Sequence, residues 1–256
     1  ERPEMLPEVL DKAFTLAVSG RPGPVLISVP MDIFSEKIST ELFERTKINT
    51  TAVQKPSLDP GTAEEIVKHI LKAERPLVYA GGGIMTADAS EELREFVEFL
   101  DIPVIYTLMG KGAISDIHPL TVGMTGFWGT PFTNEMSRNA DLILGIATRF
   151  SEADCSSWYS DVTFNIPPAK LIHIDIDPQE IGRNFPVEIG AVADAKMALK
   201  VLLAAAKRIK PEGVKRPEVR KAIADYRPKF IAENEKHAKS DSFPLRPERI
   251  LAEVRE

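Results

Sequence analysis

The chain has 256 residues, 43% of them hydrophobic and 27% charged, with 15 glycines and 20 prolines; this is the balance of a folded globular protein and excludes disorder and collagen-like structure. Thirty-two basic against 38 acidic residues leave a net charge of −6, so the electrostatic footprint of a nucleic-acid binder is missing. The single cysteine, Cys155, allows no internal disulfide and no cysteine-rich metal cage, and a reducing cytoplasmic home is the simpler expectation.

Pro3 to Val18 reads as a helix with Leu6, Leu10, Ala13, Phe14 and Ala17 on one side. Gly20-Arg21-Pro22-Gly23 is a turn, and the proline-bounded apolar run Pro24 to Pro30 is expected to be a buried strand. Residues 36–60 lack periodicity and read as a surface linker. From Gly61 onward helical and strand signals alternate. Helices are expected at 62–72, 90–100, 130–139 and 195–209, and strands at 77–80, 104–106, 142–147 and 171–176. Acidic Glu64 and Glu65 fall in the expected first turn of the helix at 62–72, where the helix dipole favours negative charge. Strands that are apolar throughout and separated by helices belong to a parallel sheet covered on both faces, so the expected fold is an open, doubly wound α/β domain over 61–207. Residues 208–246, with Pro211, Pro217 and Pro228 around a polar helical stretch, read as a second linker, and Pro247 opens a further helix. The apolar runs, Val201 to Ala206 among the longest, fall far short of the roughly 20 residues a membrane-spanning helix needs. Both ends fall inside apparent helices, and the expectation is a piece of a longer polypeptide.

Ligands of an open parallel sheet sit at the carboxyl ends of its strands. Five segments lie there. Gly81-Gly82-Gly83 would let backbone amides approach a phosphate, or would only make a tight turn. In Thr107 to Gly112, Lys111 would pair with an anion or stay solvated. Trp128, in Gly123 to Thr130, would stack on a flat ring or, the better reading, pack in the core. Arg149 would meet a phosphate or form a surface ion pair. Asp175 would accept bonds from ribose hydroxyls, whereas Asp177, before Pro178, reads better as a helix cap. No Gly-x-Ser-x-Gly, Walker-type or His-Glu-x-x-His motif occurs, and His69, His118, His173 and His237 have no metal-ligand spacing. Cys155 reads as an inert thiol.

Arg21-Pro22-Gly23-Pro24-Val25, Pro76 to Gly83, Gly110-Lys111-Gly112-Ala113 with His118-Pro119-Leu120, Gly123 to Gly129, Asn139 to Ile143, Arg149-Phe150, and Ile174 to Pro178 with Ile181-Gly182 occur in this order. Singly each is weak; collinear, they make the chain resemble the thiamine-diphosphate-dependent enzymes of the acetolactate synthase type. The resemblance implies three α/β domains in the parent. Residues 1–35 would be the tail of the pyrimidine-binding domain, 36–60 a linker, 61–207 the Rossmann-like central domain, 208–243 a linker and 244–256 the start of the diphosphate-binding domain. It further implies a homo-oligomeric decarboxylase or carboligase acting on 2-oxo acids with thiamine diphosphate and Mg²⁺. The cofactor-activating glutamate lies upstream of these residues in that family, and its Gly-Asp-Gly metal motif is absent here, so the chain alone is expected to have no catalytic residues and no activity.

In acetolactate synthases the central domain holds FAD, and by this resemblance the matching positions are Gly81, Gly82, Gly83, Thr107, Gly126, Arg149, Asp175, Ile176 and Asp194. The match is incomplete. Those enzymes continue after Arg-Phe with two aspartates and an arginine, where this chain has Ser151, Glu152, Ala153 and Asp154, and Trp128 stands where a histidine is usual. FAD binding and a flavin-free domain therefore both stay open, as does the rival reading of a stand-alone nucleotide-binding or regulatory module.

Overall fold

The computed structural model describes residues 2–42 and 54–255, and the chain divides into two compact units, Glu1–Pro56 and Ser57–Glu256. In the first unit a 3₁₀ turn, Pro3–Met5, leads into helix α1, Leu6–Val18, and a short α2 spans Met31–Phe34. The expected strand over 24–30 is not formed. A run of apolar residues becomes a strand only when a neighbour takes its N–H and C=O groups, and among the described residues no segment pairs with this one; Leu26 is exposed. Of the expected linker, residues 43–53 lie outside the described residues.

The second unit opens with α3, Pro60–Lys72. It starts two residues earlier than the apolar spacing implies, because Asp59 caps it by accepting the Thr62 amide at 2.9 Å and Pro60 takes the first helical position. Glu64 and Glu65 consequently fall beyond the first turn. There follow β1, Pro76–Ala80; α4, Gly83–Thr86; α5, Ser90–Leu100; β2, Val104–Tyr106; β3, Thr121–Met124; α6, Pro131–Asn139; β4, Leu142–Ile146; α7, Glu152–Cys155; β5, Lys170–Asp175; β6, Ile189–Val192; α8, Ala195–Ile209; α9, Pro217–Ala238; and α10, Pro247–Arg255. All strand pairings are parallel and the sheet order is β3-β2-β1-β4-β5-β6. The open, doubly wound α/β sheet is thus present, with its strand order reversing between β1 and β4.

Strand side chains alternate between faces, and the two faces are closed differently. Val78, Ala80, Leu142, Leu144, Ile172 and Ile174 meet apolar residues of α3, α5 and α8. Leu77, Tyr79, Ile105, Ile143 and Leu171 meet Phe150, Cys155, Phe164, Ile166 and Phe185. Helices close the first face; the second is covered largely by an aromatic-rich, mostly irregular segment after β4 that includes the short α7, while α6 packs against edge strand β3 with Thr133 and Ser137 buried. The strands β3 and β6 went unforeseen because they are short edge strands, half exposed, each with an internal glycine.

Residues 217–238, expected as a linker with partial helical character, form one 22-residue helix despite Pro228. Tertiary anchors hold it. Asp101, buried and left-handed at the end of α5 (φ 54°), accepts the Arg216 amide and the Arg220 Nε–H. Arg227 donates to the carbonyls of Ile117, His118 and Thr121 at 2.8–3.1 Å, and Tyr226 stacks on Phe132 with ring centres 4.2 Å apart. Asp101→Ala would leave the Arg216 amide without its acceptor and put a β-carbon residue without polar compensation at a left-handed position. We expect it to lower the unfolding free energy by about 2–3 kcal/mol, read as a lower urea midpoint, with Asp101→Asn losing less.

Candidate functional site

The crevice at the switch point is built from four turns. Hydrogen bonds continue past the strand ends: the Gly81 amide donates to Ile146 O (3.0 Å), Thr107 N–H to Ala80 O (3.1 Å), Ala147 N–H to Ile174 O (2.8 Å) and Gly83 N–H to Ala147 O (3.3 Å). The turn after β1 lies so close to that after β4 that a Cβ on Gly81 would stand 1.9 Å from Ala147 O, and one on Gly83 2.6 Å from the Ala147 side chain. Glycine is required here by the meeting of two protein turns. Gly82 sits against Met109, with 3.0 Å between a built Cβ and the Met109 carbonyl.

Beyond β4 the chain turns back sharply, with Ala147 and Phe150 both left-handed (φ 51° and 50°). The Phe150 ring lies on Gly145, where a Cβ would come within 2.6 Å of it, and meets Tyr79, Phe164, His173 and Phe185 edge-on at 5.0–5.7 Å. The Phe150 carbonyl accepts from Trp158 Nε1 (2.8 Å) and Asn184 Nδ2 (3.0 Å). Arg149, between these anchored neighbours, is exposed. After β2, Thr107 is buried and its Oγ1 accepts the Gly110 amide at 2.9 Å. After β3, buried Gly126 (φ 72°) packs on the Asp154 carbonyl, 2.1 Å from a built Cβ, and Asn134 grips it from both sides, accepting its N–H (2.8 Å) and donating to its carbonyl (3.1 Å).

Asp175 and Asp194 are buried carboxylates with internal duties. Asp175 Oδ1 accepts the Asp177 amide (2.9 Å), and Asp194 caps α8 by accepting the Met197 amide (3.1 Å). Ile176 is half-buried beside Asp175. Gly81, Gly82, Gly83, Thr107 and Arg149 are therefore assembled from the ends of the adjacent strands β1, β2 and β4, whereas Gly126 follows β3, and Asp175, Ile176 and Asp194 belong to the β5 and β6 ends.

The packing places the other side chains of these segments. Lys111 pairs with Asp116 at 2.6 Å, and Asp116 also accepts the Tyr106 hydroxyl, so the lysine is occupied within the protein. Trp128 is not in the core: it is half exposed and meets exposed Phe127 edge-on at 5.0 Å, because the 3₁₀ turn Gly126–Trp128 holds both rings at the surface. Asp177 caps no helix; its side chain accepts the Gln179 amide in a turn (3.0 Å). Cys155 is buried, and burial pushes its thiol well above the ordinary range, consistent with an inert thiol. Asp154 and Asn184 carry no sequence signal because they reach partners 46 and 34 residues away, and Asn134 carries none because the loop that folds Gly126 back onto its side chain has no recognisable turn pattern. A hollow of about 440 Å³ also exists at the amino ends of β1, β4 and β5, lined by Arg75, Arg138, Asp141 and Asn165; there Asp141 is taken up by the Glu74 and Arg75 amides, both at 2.8 Å. Among the described residues no group of three His, Cys, Asp or Glu side chains is placed to hold a metal ion, and no helix is long and apolar enough to cross a membrane.

The family model for the thiamine pyrophosphate enzyme central domain matches residues 63–202, more than half of the chain. This chain belongs to that family. A probable acetolactate synthase large subunit of Methanocaldococcus jannaschii is 41% identical over 207 residues, covering 80% of this chain and 34% of the relative. The acetolactate synthase large subunit of Corynebacterium glutamicum is 39% identical over 211 residues, 82% of this chain and 33% of its own length. Glyoxylate carboligase of Escherichia coli O157:H7 is 35% identical over 251 residues, 98% of this chain and 41% of the relative. The chain thus spans about a third to two-fifths of these relatives, which speaks against a stand-alone module and agrees with its being the central part of a thiamine pyrophosphate enzyme.

Buried His173 contributes a pH dependence to this central domain. The Gly182 amide donates to Nδ1 (3.4 Å), which leaves the proton on Nε2 to be donated to Thr148 O (2.8 Å). The neutral ring satisfies both bonds, and burial lowers its pKa from 6.5. The unfolded chain therefore binds the proton more readily, and stability present above about pH 6.5 is lost as pH falls below it. Urea unfolding across that range should show the loss, with a shallower slope in His173→Gln.

Proposed function

We propose that the parent protein is a cytoplasmic, homo-oligomeric, thiamine-diphosphate- and Mg²⁺-dependent decarboxylase or carboligase acting on 2-oxo acids, and that this chain supplies its central domain. The match of this chain, over 80–98% of its length, to relatives named acetolactate synthase and glyoxylate carboligase is the observation that carries the reading. By the family resemblance the activated cofactor is handled elsewhere in the parent. Calorimetry with thiamine diphosphate and Mg²⁺ on the 256-residue chain should accordingly register no micromolar binding, and pyruvate should not be consumed; a titratable heat would count against this division of labour.

The central domain's own task, in this proposal, is to hold an adenine nucleotide, FAD being the candidate. The residues fit such a group in part. The Gly81 and Gly83 amides are used between turns, which leaves Gly82, pressed against the β2 turn, and exposed Arg149 as the groups for a diphosphate. Asp175 is buried with its turn already formed, so a ribose hydroxyl would share a preset carboxylate. When bound, the nucleotide would supply a flat ring system for the exposed Phe127–Trp128 pair rather than chemistry by these side chains. In a fluorescence titration of FAD, Arg149→Ala should weaken binding by about 1.5–3 kcal/mol. Unquenched flavin and an unmoved melting temperature at saturating FAD would mean that these turns are scaffold only.

A further inference from the structure

One side chain ties together the turns that frame the crevice. Asp154, on the short helix α7, lies 46 residues from Leu108, yet its Oδ1 accepts the Leu108 amide at 3.1 Å. Its Oδ2 accepts the Ser151 hydroxyl at 2.5 Å, and its main-chain carbonyl is the surface on which Gly126 sits. Leu108 opens the 3₁₀ turn Leu108–Gly110, whose first amides have no acceptor within the turn itself. The Gly110 amide makes the turn's own bond to Thr107 O at 2.9 Å and shares it with Thr107 Oγ1, whereas the Leu108 amide depends on Asp154. The next residue, Met109, is the one against which Gly82 rests, and Gly110 lies on Ala80 O, 2.4 Å from a built Cβ. The β2 turn is thus fixed at one end by β1 and at the other by a carboxylate that arrives from β4.

We propose that Asp154 is the positioning residue of this crevice: by holding the 108–110 turn against Gly82 it fixes the backbone that a nucleotide diphosphate would meet beside Gly82 and Arg149. Neither composition nor resemblance singles Asp154 out. The inference rests on the nucleotide reading of the crevice. It acts through the Leu108 amide and not by touching the ligand, so its signature is conformational order in the β2 turn followed by affinity.

The test uses the 256-residue chain with FAD as the probe and three variants, Asp154→Ala, Asp154→Ser and Asp154→Asn. Ala removes both bonds, and Ser keeps a small polar group too short to reach Leu108, in case Ala does not fold. Asn retains a carbonyl for the Leu108 amide and an NH₂ for Ser151 Oγ. Hydrogen exchange in the absence of ligand should quicken at Leu108 in Ala and Ser by about tenfold, the measure of one hydrogen bond, while amides of β1 stay protected. FAD affinity should fall by a similar factor, and Asn should restore both readouts. Wild-type exchange at Leu108, or wild-type affinity, in Ala and Ser would overturn the proposal, as would an Asn variant that behaves like Ala. A wild-type chain that binds no FAD would instead overturn the nucleotide reading itself, while the exchange data would still decide whether Asp154 holds the turn.

Discussion

The fold-back of the chain after β4 depends on an absence: Gly145 has no side chain. In the parallel ladder Gly145 stands between Tyr79 and His173, and the space its side chain would occupy is taken by the Phe150 ring. For that ring to return to the strand it has just left, the chain must reverse within four residues, which it does through left-handed Ala147 and Phe150. Both are conformations that a non-glycine residue adopts only at a cost, of order 1 kcal/mol each. The offset comes from burying a phenylalanine among Tyr79, Phe164 and Phe185 and from two donors that meet its carbonyl. The exposed position of Arg149 is a by-product of this packing: its neighbour is driven inward, so it is left outside.

The same economy governs the glycines of the β1 turn. A lone glycine triplet admits either close approach to a ligand or close approach of the chain to itself, and at Gly81 and Gly83 the second is established by the Ala147 contacts. The carboxylates tell a parallel story. Asp175 orders its own turn and Asp194 caps its own helix, so both would meet any ligand already oriented. Such groups lose little freedom on binding, which is how a preformed site limits the entropic cost of association.

The interior of the fold was legible because it is written in short-range patterns. The runs Pro76–Ala80 and Leu142–Ile146 are apolar throughout, and the spacing of Ile66, Val67 and Ile70, or of Leu199, Leu202 and Leu203, marks one face of a helix. Edge strands β3 and β6 are four residues long, each broken by a glycine, and too short to stand out, and the run Val25 to Val29 has the composition of a strand without a partner among the described residues. Helix α9 reads as a linker because it is polar and contains Pro228, and what holds it is long-range: Asp101, the carbonyls around Thr121, and Phe132. The site follows the same division. Its glycines and Arg149 are visible as local motifs, whereas the reach of Asp154 and Asn184 to partners 46 and 34 residues away is not.

Because the segment after β4 both covers much of one sheet face and carries Arg149 and Asp154, the rim of the crevice and the inner wall of the domain are a single stretch of chain. Phe150, Cys155 and Phe164 line the interior while Arg149 and Asp154 lie at the mouth. Substitutions at the rim are therefore rarely neutral for the interior, since the same segment carries Phe150, Cys155 and Phe164 into the core. Divergence at 151–154 should accordingly travel in blocks with positions such as Gly126 and Gly145, a pattern of joint inheritance quite unlike the independent drift available to a domain whose loops stand clear of its walls.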